Sequence, residues 1–274
     1  MGSSPASAGS SERQFDLALL SDVGTRRENN EDACGHIIET DGSVAFAVAD
    51  GIGGYEGGEV ASAMAIEITL AAYRESPADW DPARRLYRAV QRANIEIHGK
   101  ALAVPVLRRM GTTLTAVAVE KGMMFAAHVG DCRLYLVRRG RVTQITNDHT
   151  MVADRVRMGL MSAREARDHP ERSALLRSLG HELIASVDCL AMPLIRHDCL
   201  ILCSDGLHNA IAERELKSLT RGLGAEAACH VLIEEANRRG AADNVTCAVF
   251  RMLAPVGDAL AAGWRGRLRA VFGR

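Results

Sequence analysis

The stretch "TTLTAVAVEKGMMFAAHVGDCRLYLVRRGRVTQIT", which begins at Thr112, constrains the fold more than any other part of the chain. Its short apolar runs are separated only by "EKG", "GDC" and "RRGR". Parallel strands need crossovers of about a dozen residues or more, so gaps this short dictate antiparallel pairing and read as a meander. The same texture recurs in "FDLALLSDVG", in "ACGHII" and "VAFAVAD" joined by a turn at "TDGS", and in "HDCLILCSDG" and "NVTCAVFRM". Between these runs the period changes. Met64, Ile68 and Ala72 recur at helical spacing between Gly57 and Tyr73. Asp81-Pro82 then reads as an N-cap with proline at the first helical position, and Leu86, Val90, Ala93 and Ile97 mark one face of the helix that follows. "GAEAACHVLIEEANRRG" is an amphipathic helix ending at Gly240, "NDHT" reads as a helix cap, and 150–180 as arginine-rich helix and loop. The pattern predicts an α+β fold: antiparallel sheets with long helices on the outer faces, in one domain over about residues 12–252.

The 274 residues, 47% of them hydrophobic, suit one large domain or two small ones. With 33 basic and 34 acidic residues the chain has no global affinity for nucleic acid. Seven cysteines, an odd number, lie partly in apolar runs and form no CxxC, which fits buried thiols in the reducing cytoplasm. No apolar run reaches membrane-spanning length and no signal-peptide core is visible. Residues 1–11 read as a disordered polar leader. Residues 253–274 read as a basic amphipathic tail, with Trp264, Leu268 and Val271 at helical spacing, either a loose extension or a contact for anionic membrane.

Acidic residues cluster at the strand mouths. They are Glu31 and Asp32 in "NNEDAC", Asp50 in "VADGIGG", Asp131 in "VGDCR", Asp205 in "CSDGLHN" and Asp243 in "GAADNVT". Buried carboxylates are costly unless paired or bound to metal. Each Asp-Gly alone reads as an ordinary turn. Together they suggest a site for magnesium or manganese, because the donors are oxygens and no cysteine-histidine set has zinc spacing. Gly51, without a side chain, lets its carbonyl approach an ion.

In order and spacing, "SDVGTRRENNEDA", "FAVADGIGG", "MGTTLTAVAV", "AHVGDCRLYLVRRGRVTQITNDHT", "LILCSDGLHNAI" and "ADNVTCAVF" closely resemble the PP2C family of metal-dependent serine/threonine phosphatases, above all its bacterial members. The resemblance covers about residues 15–251. It implies a sandwich of two antiparallel sheets flanked by helices, in αββα layers, with a dinuclear centre at one edge. It also implies roles. Asp50 would bridge two metal ions and the Gly51 carbonyl would bind the second. Asp205 and Asp243 would bind the first, and Glu31 and Asp32 would ligate or orient metal-bound water. Asp131 with Asp205 would hold a third, weaker ion. Arg27 would bind phosphate, with Arg26 as rival; on a strand end the two would point apart. Gly111, Thr112 and Thr113 would be structural, and Asn244 would fix the turn presenting Asp243.

The implied reaction is in-line attack of a metal-bridging hydroxide on phosphoserine or phosphothreonine. Ile52 stands where animal members carry a histidine, so the proton for the leaving group is unassigned, with metal-bound water preferred over His149. A pseudophosphatase would lack a core carboxylate, whereas Asp50, Asp205 and Asp243 are all present. The expected partners are phosphoproteins and an opposing serine/threonine kinase, with the enzyme a monomer. The segment 148–179 corresponds to a variable flap beside the groove, either a solvated surface or a reader of acidic peptides.

Overall fold

A computed structural model describes residues 14–52 and 57–254; the expected leader and nearly all of the tail lie outside them. Eleven strands form two sheets among these residues. The first sheet has the order β1 (Phe15–Asp22), β11 (Val245–Met252), β10 (Cys199–Cys203), β7 (Arg133–Arg138), β8 (Arg141–Gln144). The second has the order β2 (Asp32–Ile38), β3 (Val44–Ile52), β5 (Leu114–Glu120), β6 (Met123–Val129), β9 (Asp188–Pro193), with the two-residue β4 (Gly111–Thr112) added to β3. Every pairing is antiparallel.

Strand alternation builds three cores. In β3, Val44, Phe46 and Val48 face the other sheet, where Phe46 stacks on Phe250 with ring centroids 5.9 Å apart. Ala45, Ala47 and Ala49 face outward onto α1 (Gly57–Glu75) and α2 (Pro82–Ala103). Small residues on that face, met by Ala61 and Ala65 of α1, keep the helix close to the sheet. In β11, Ala248 and Phe250 point inward while Cys247 and Val249 meet α7 (Ala225–Arg238). Both faces of the central strands are therefore buried, which explains apolar runs without a polar partner face. The α2 cap forms as expected, with the Asp81 side chain accepting from Ala83 N at 2.9 Å. In "NDHT" it is Thr150 that caps α3 (Met151–Arg157), and α4 (Ala163–Asp168) follows in the same arginine-rich segment.

The meander expected after Thr112 breaks once. β5–β6 and β7–β8 are hairpins, but they belong to different sheets. At Gly130, with φ +108°, the chain leaves the second sheet for the first, and Asp131 sits at that corner. A side chain on Gly130 would strike Thr113. Two short helices, α5 (Asp205–Ala210) and α6 (Glu213–Thr220), and the strand β9 are structural additions to the sequence reading. The second Asp-Gly, read as a turn, begins α5.

Candidate metal and phosphate site

The acidic residues meet at one end of the sandwich, contributed by both sheets. Asp32 and Asp50 are direct cross-strand partners. Asp131 lies at the sheet-crossing corner, Asp205 opens α5, and Asp243 precedes β11. Burial, then the nearby Asp32, Asp205, Asp131 and Asp243, pushes the Asp50 carboxyl well above its ordinary range. Burial raises Asp32 to about 7 against hydrogen bonds from Ser204 and Thr246, and burial with Asp205 raises Asp131 to about 8. Burial with Asp243 raises Asp205 to about 6, and burial also raises Glu31. Neighbouring negative charges and burial both favour the protonated carboxyl.

Dedicated donors and acceptors fix the backbone beneath these carboxylates. Thr113 N and Thr112 Oγ1 both donate to the Asp50 carbonyl at 2.8 Å, and Asp50 N donates to Thr113 Oγ1 at 3.0 Å. Gly111 and Thr112 pair with Ile52 and Gly51, while Thr112 also exchanges backbone bonds with Leu179. Asn244, only 4% exposed, joins the two sheets. Its Oδ1 accepts from Glu31 N at 2.8 Å, and its Nδ2 donates to the carbonyls of Val23 and Asn29 at 2.8 and 2.9 Å. Its reach thus exceeds the Asp243 turn expected from the sequence. A side chain at Gly51 would overlap the carbonyls of Gly58 and Glu31. Crowding of three segments therefore requires that glycine, whatever its carbonyl binds.

Sequence reasoning missed several supports. Ser204 Oγ donates to Asp32 Oδ2 at 2.7 Å and accepts from Thr246 N at 3.1 Å. Asn209 reaches Asp205 Oδ2 at 3.2 Å, and His208 Nε2 meets the Asp131 carbonyl at 3.1 Å. A hydroxyl directly before the "DG" at a buried strand end was the available signal for Ser204. His149 grips the Asp131 corner from the other side: its backbone N–H donates to Gly130 O at 2.7 Å, and its Nδ1 accepts from Gly130 N at 3.1 Å. Its Nε2 lies 3.1 Å from Asp188 Oδ2. Both ring nitrogens are committed, so His149 positions the corner.

The arginine question has a different geometry from the one expected. Arg26 and Arg27 lie in the turn after β1, not on a strand end. Arg27 Nη2 donates to Asp243 Oδ2 at 2.8 Å with its side chain half exposed, whereas Arg26 forms no ion pair with a described residue.

No three of the described acidic, histidine or cysteine side chains already close around one point as metal ligands. The donor chemistry nevertheless fits a hard divalent ion. All the donors are oxygens, and Asp205 Oδ1 is buried without a hydrogen-bond partner.

A family profile for protein phosphatase 2C matches residues 25–235. This chain belongs to the protein phosphatase 2C family. Its enzyme class is serine/threonine protein phosphatase. It is 36% identical over 236 residues to the serine/threonine phosphatase stp of Listeria welshimeri, covering 82% of this chain and 91% of that protein. The crystal structure of the Mycobacterium tuberculosis serine/threonine phosphatase PstP/Ppp superposes with a TM-score of 0.80 at 35% identity, covering 88% and 99% of the two chains. A PstP catalytic domain solved with two manganese ions has a TM-score of 0.78 at 33% identity, covering 88% and 99%. The α+β sandwich expected from the sequence is the fold of this family.

Proposed function

We propose that this protein phosphatase 2C member hydrolyses phosphoserine and phosphothreonine in proteins in a reaction that depends on manganese or magnesium. The observation that carries the reading is the meeting of six acidic side chains from both sheets at one end, on backbone locked by Thr112, Thr113, Ser204 and Asn244. The relative solved with two manganese ions supports it. Asp50, the Gly51 carbonyl, Asp205 and Asp243 would hold two core ions. Asp131 and Asp205 would hold a third, with Glu31 and Asp32 orienting water. When bound, such ions supply positive charge to phosphoryl oxygens and lower the pKa of a water that attacks phosphorus.

Arg27 binds and orients the phosphate. Its planar fork matches two phosphoryl oxygens, and its half-exposed ion pair with Asp243 is weak enough to be exchanged for one. His149 and Ile52 do not deliver the leaving-group proton, since the first is committed at both nitrogens and the second carries none to give. With both set aside, water is the proton source left. Arg172, in the 148–179 segment, is a minor influence that favours the ionised form of Asp205. This supports a preference for acidic or phosphorylated peptide surfaces, with an opposing serine/threonine kinase as the source of substrate.

The test is phosphate release from a phosphothreonine peptide with Mn²⁺, Mg²⁺ or EDTA, in wild type and Asp50→Asn. Turnover is expected only with metal and only in wild type. Turnover that survives both EDTA and the substitution overturns the mechanism.

A further inference from the structure

A cavity of about 440 Å³ opens at the end of the first sheet remote from the carboxylates, between the sheet and the end of α6. It is reached at the far ends of β7, β10 and β11, where Arg139, His197 and Arg251 lie, and it is closed by Lys217 and Arg221. No acidic side chain lines it, and none of its four permanent cations forms an ion pair with a described residue. The nearby carboxylates are engaged elsewhere. Asp198 is held by Arg138 at 2.9 and 2.6 Å, and Asp16, the strand partner of Arg251, accepts from Ala225 N at 2.7 Å.

The cavity wall is shaped around these cations. Arg251 Nη2 donates to the Thr220 carbonyl at 2.5 Å, but its Nε is buried with no partner. Lys217 Nζ stands over Gly140, where an added Cβ would lie 3.0 Å away. Arg139 (φ 50°) and Gly140 (φ 77°) form the two-residue turn of the β7–β8 hairpin, which sets their left-handed backbone, and His197 (φ 71°) is left-handed in the loop before β10. The carbonyl end of α6 accounts for part of the charge. A helix terminus carries only about half an elementary charge, against four cations here.

We propose that this cavity binds a compact anion carrying two or three phosphoryl groups. Arginine cannot shed its proton, so the three guanidiniums and the ammonium that line the cavity keep a combined charge that a multivalent anion would match. Guanidinium forks match phosphoryl oxygens. Val137 and Cys199 are the only apolar lining, so the cavity offers no apolar wall to a large organic group. The site is separate from the carboxylate end, and its occupant does not displace the phosphoester substrate.

The test is calorimetric titration of the full chain with inorganic pyrophosphate in EDTA, using wild type, Asp50→Asn and the double variant Lys217→Ser/Arg221→Ser. Wild type and Asp50→Asn are expected to bind one equivalent alike, and the double variant at least about tenfold more weakly. Lys217→Arg/Arg221→Lys should restore binding, and the double serine variant should keep wild-type turnover with manganese. If that variant fails to fold, Arg139→Asn, which tolerates left-handed backbone, gives the same readout. The proposal is overturned by absence of binding in wild type, by undiminished binding in the double variant or by loss confined to Asp50→Asn. It is equally overturned by binding of an acidic peptide but not pyrophosphate.

Discussion

The two ends of the first sheet concentrate charge of opposite sign, and they manage it differently. At one end Asp131 is buried, only 7% exposed, and Asp32, Asp50 and Asp205 are partly buried. At the other the cations line an open cavity. The difference follows from proton chemistry. A buried carboxyl can take up a proton and become neutral, as the raised values of Asp32, Asp131 and Asp205 show. A guanidinium has no such option and must keep water or an anion within reach. Burial of like charges is therefore available to the acidic end alone, and a divalent ion there competes with protons.

The sharpest way to break this contrast is at Asp50. Asp50→Asn should lower phosphatase turnover by about a thousandfold or more, the scale of losing a central electrostatic element, while leaving pyrophosphate binding at the far end intact. A milder test uses pH. In EDTA the raised carboxyls hold protons in the folded chain that the unfolded chain, with ordinary values near 4, has already released. Their stabilising contribution is complete at low pH and is lost as pH rises toward about 8. The slope is about 1.4 kcal/mol per pH unit for each proton of difference. Melting temperatures should thus fall between pH 5 and 8 in EDTA, as about those values bracket the titrations, and recover with Mn²⁺. A profile that is flat or rises would show the carboxyls are not coupled as described.

Asn244→Ala removes three hydrogen bonds that bind one sheet's loop to the other and leaves buried partners unpaired. A loss of about 2–4 kcal/mol in urea unfolding is expected, with a larger fall in turnover than any substitution at the cavity. The smallest effect belongs to the basic end. Lys217→Ala relieves repulsion among cations and should change stability by no more than about 0.5 kcal/mol, upward at low salt. Clear destabilisation would mean that Lys217 packs as structure rather than waiting for an anion.

Much of this was legible in the sequence because local pattern dictated it. Short gaps forced antiparallel pairing, and the Asp81-Pro82 start and the "VLIEEA" helix followed their own periodicity. The acidic strand mouths suggested a shared metal site before any family resemblance, beside the reading as ordinary turns. What stayed hidden was set by distant partners. The passage of the chain between sheets at Gly130 depends on which hairpins stack, not on the turn sequence. Ser204 reaches a carboxylate 172 residues away, and Arg27 is distinguished from Arg26 by Asp243, 216 residues on. β9 escaped notice because "DCLAMP" is only half buried and ends in proline.

The placement of β11 governs how the molecule can be made. It lies between β1 and β10, and β1 has no other strand neighbour in its sheet. Ser21 of β1 bonds Thr246 of β11 at 2.7 Å, across 225 residues. During synthesis the earliest strand must wait, unpaired, for the latest one described, and Asp243 arrives with it. The second sheet and its helices can assemble beforehand from local contacts. Completion of the first sheet then closes a long loop, a slow step of high contact order. The gain of catalytic competence should therefore coincide with that final strand insertion.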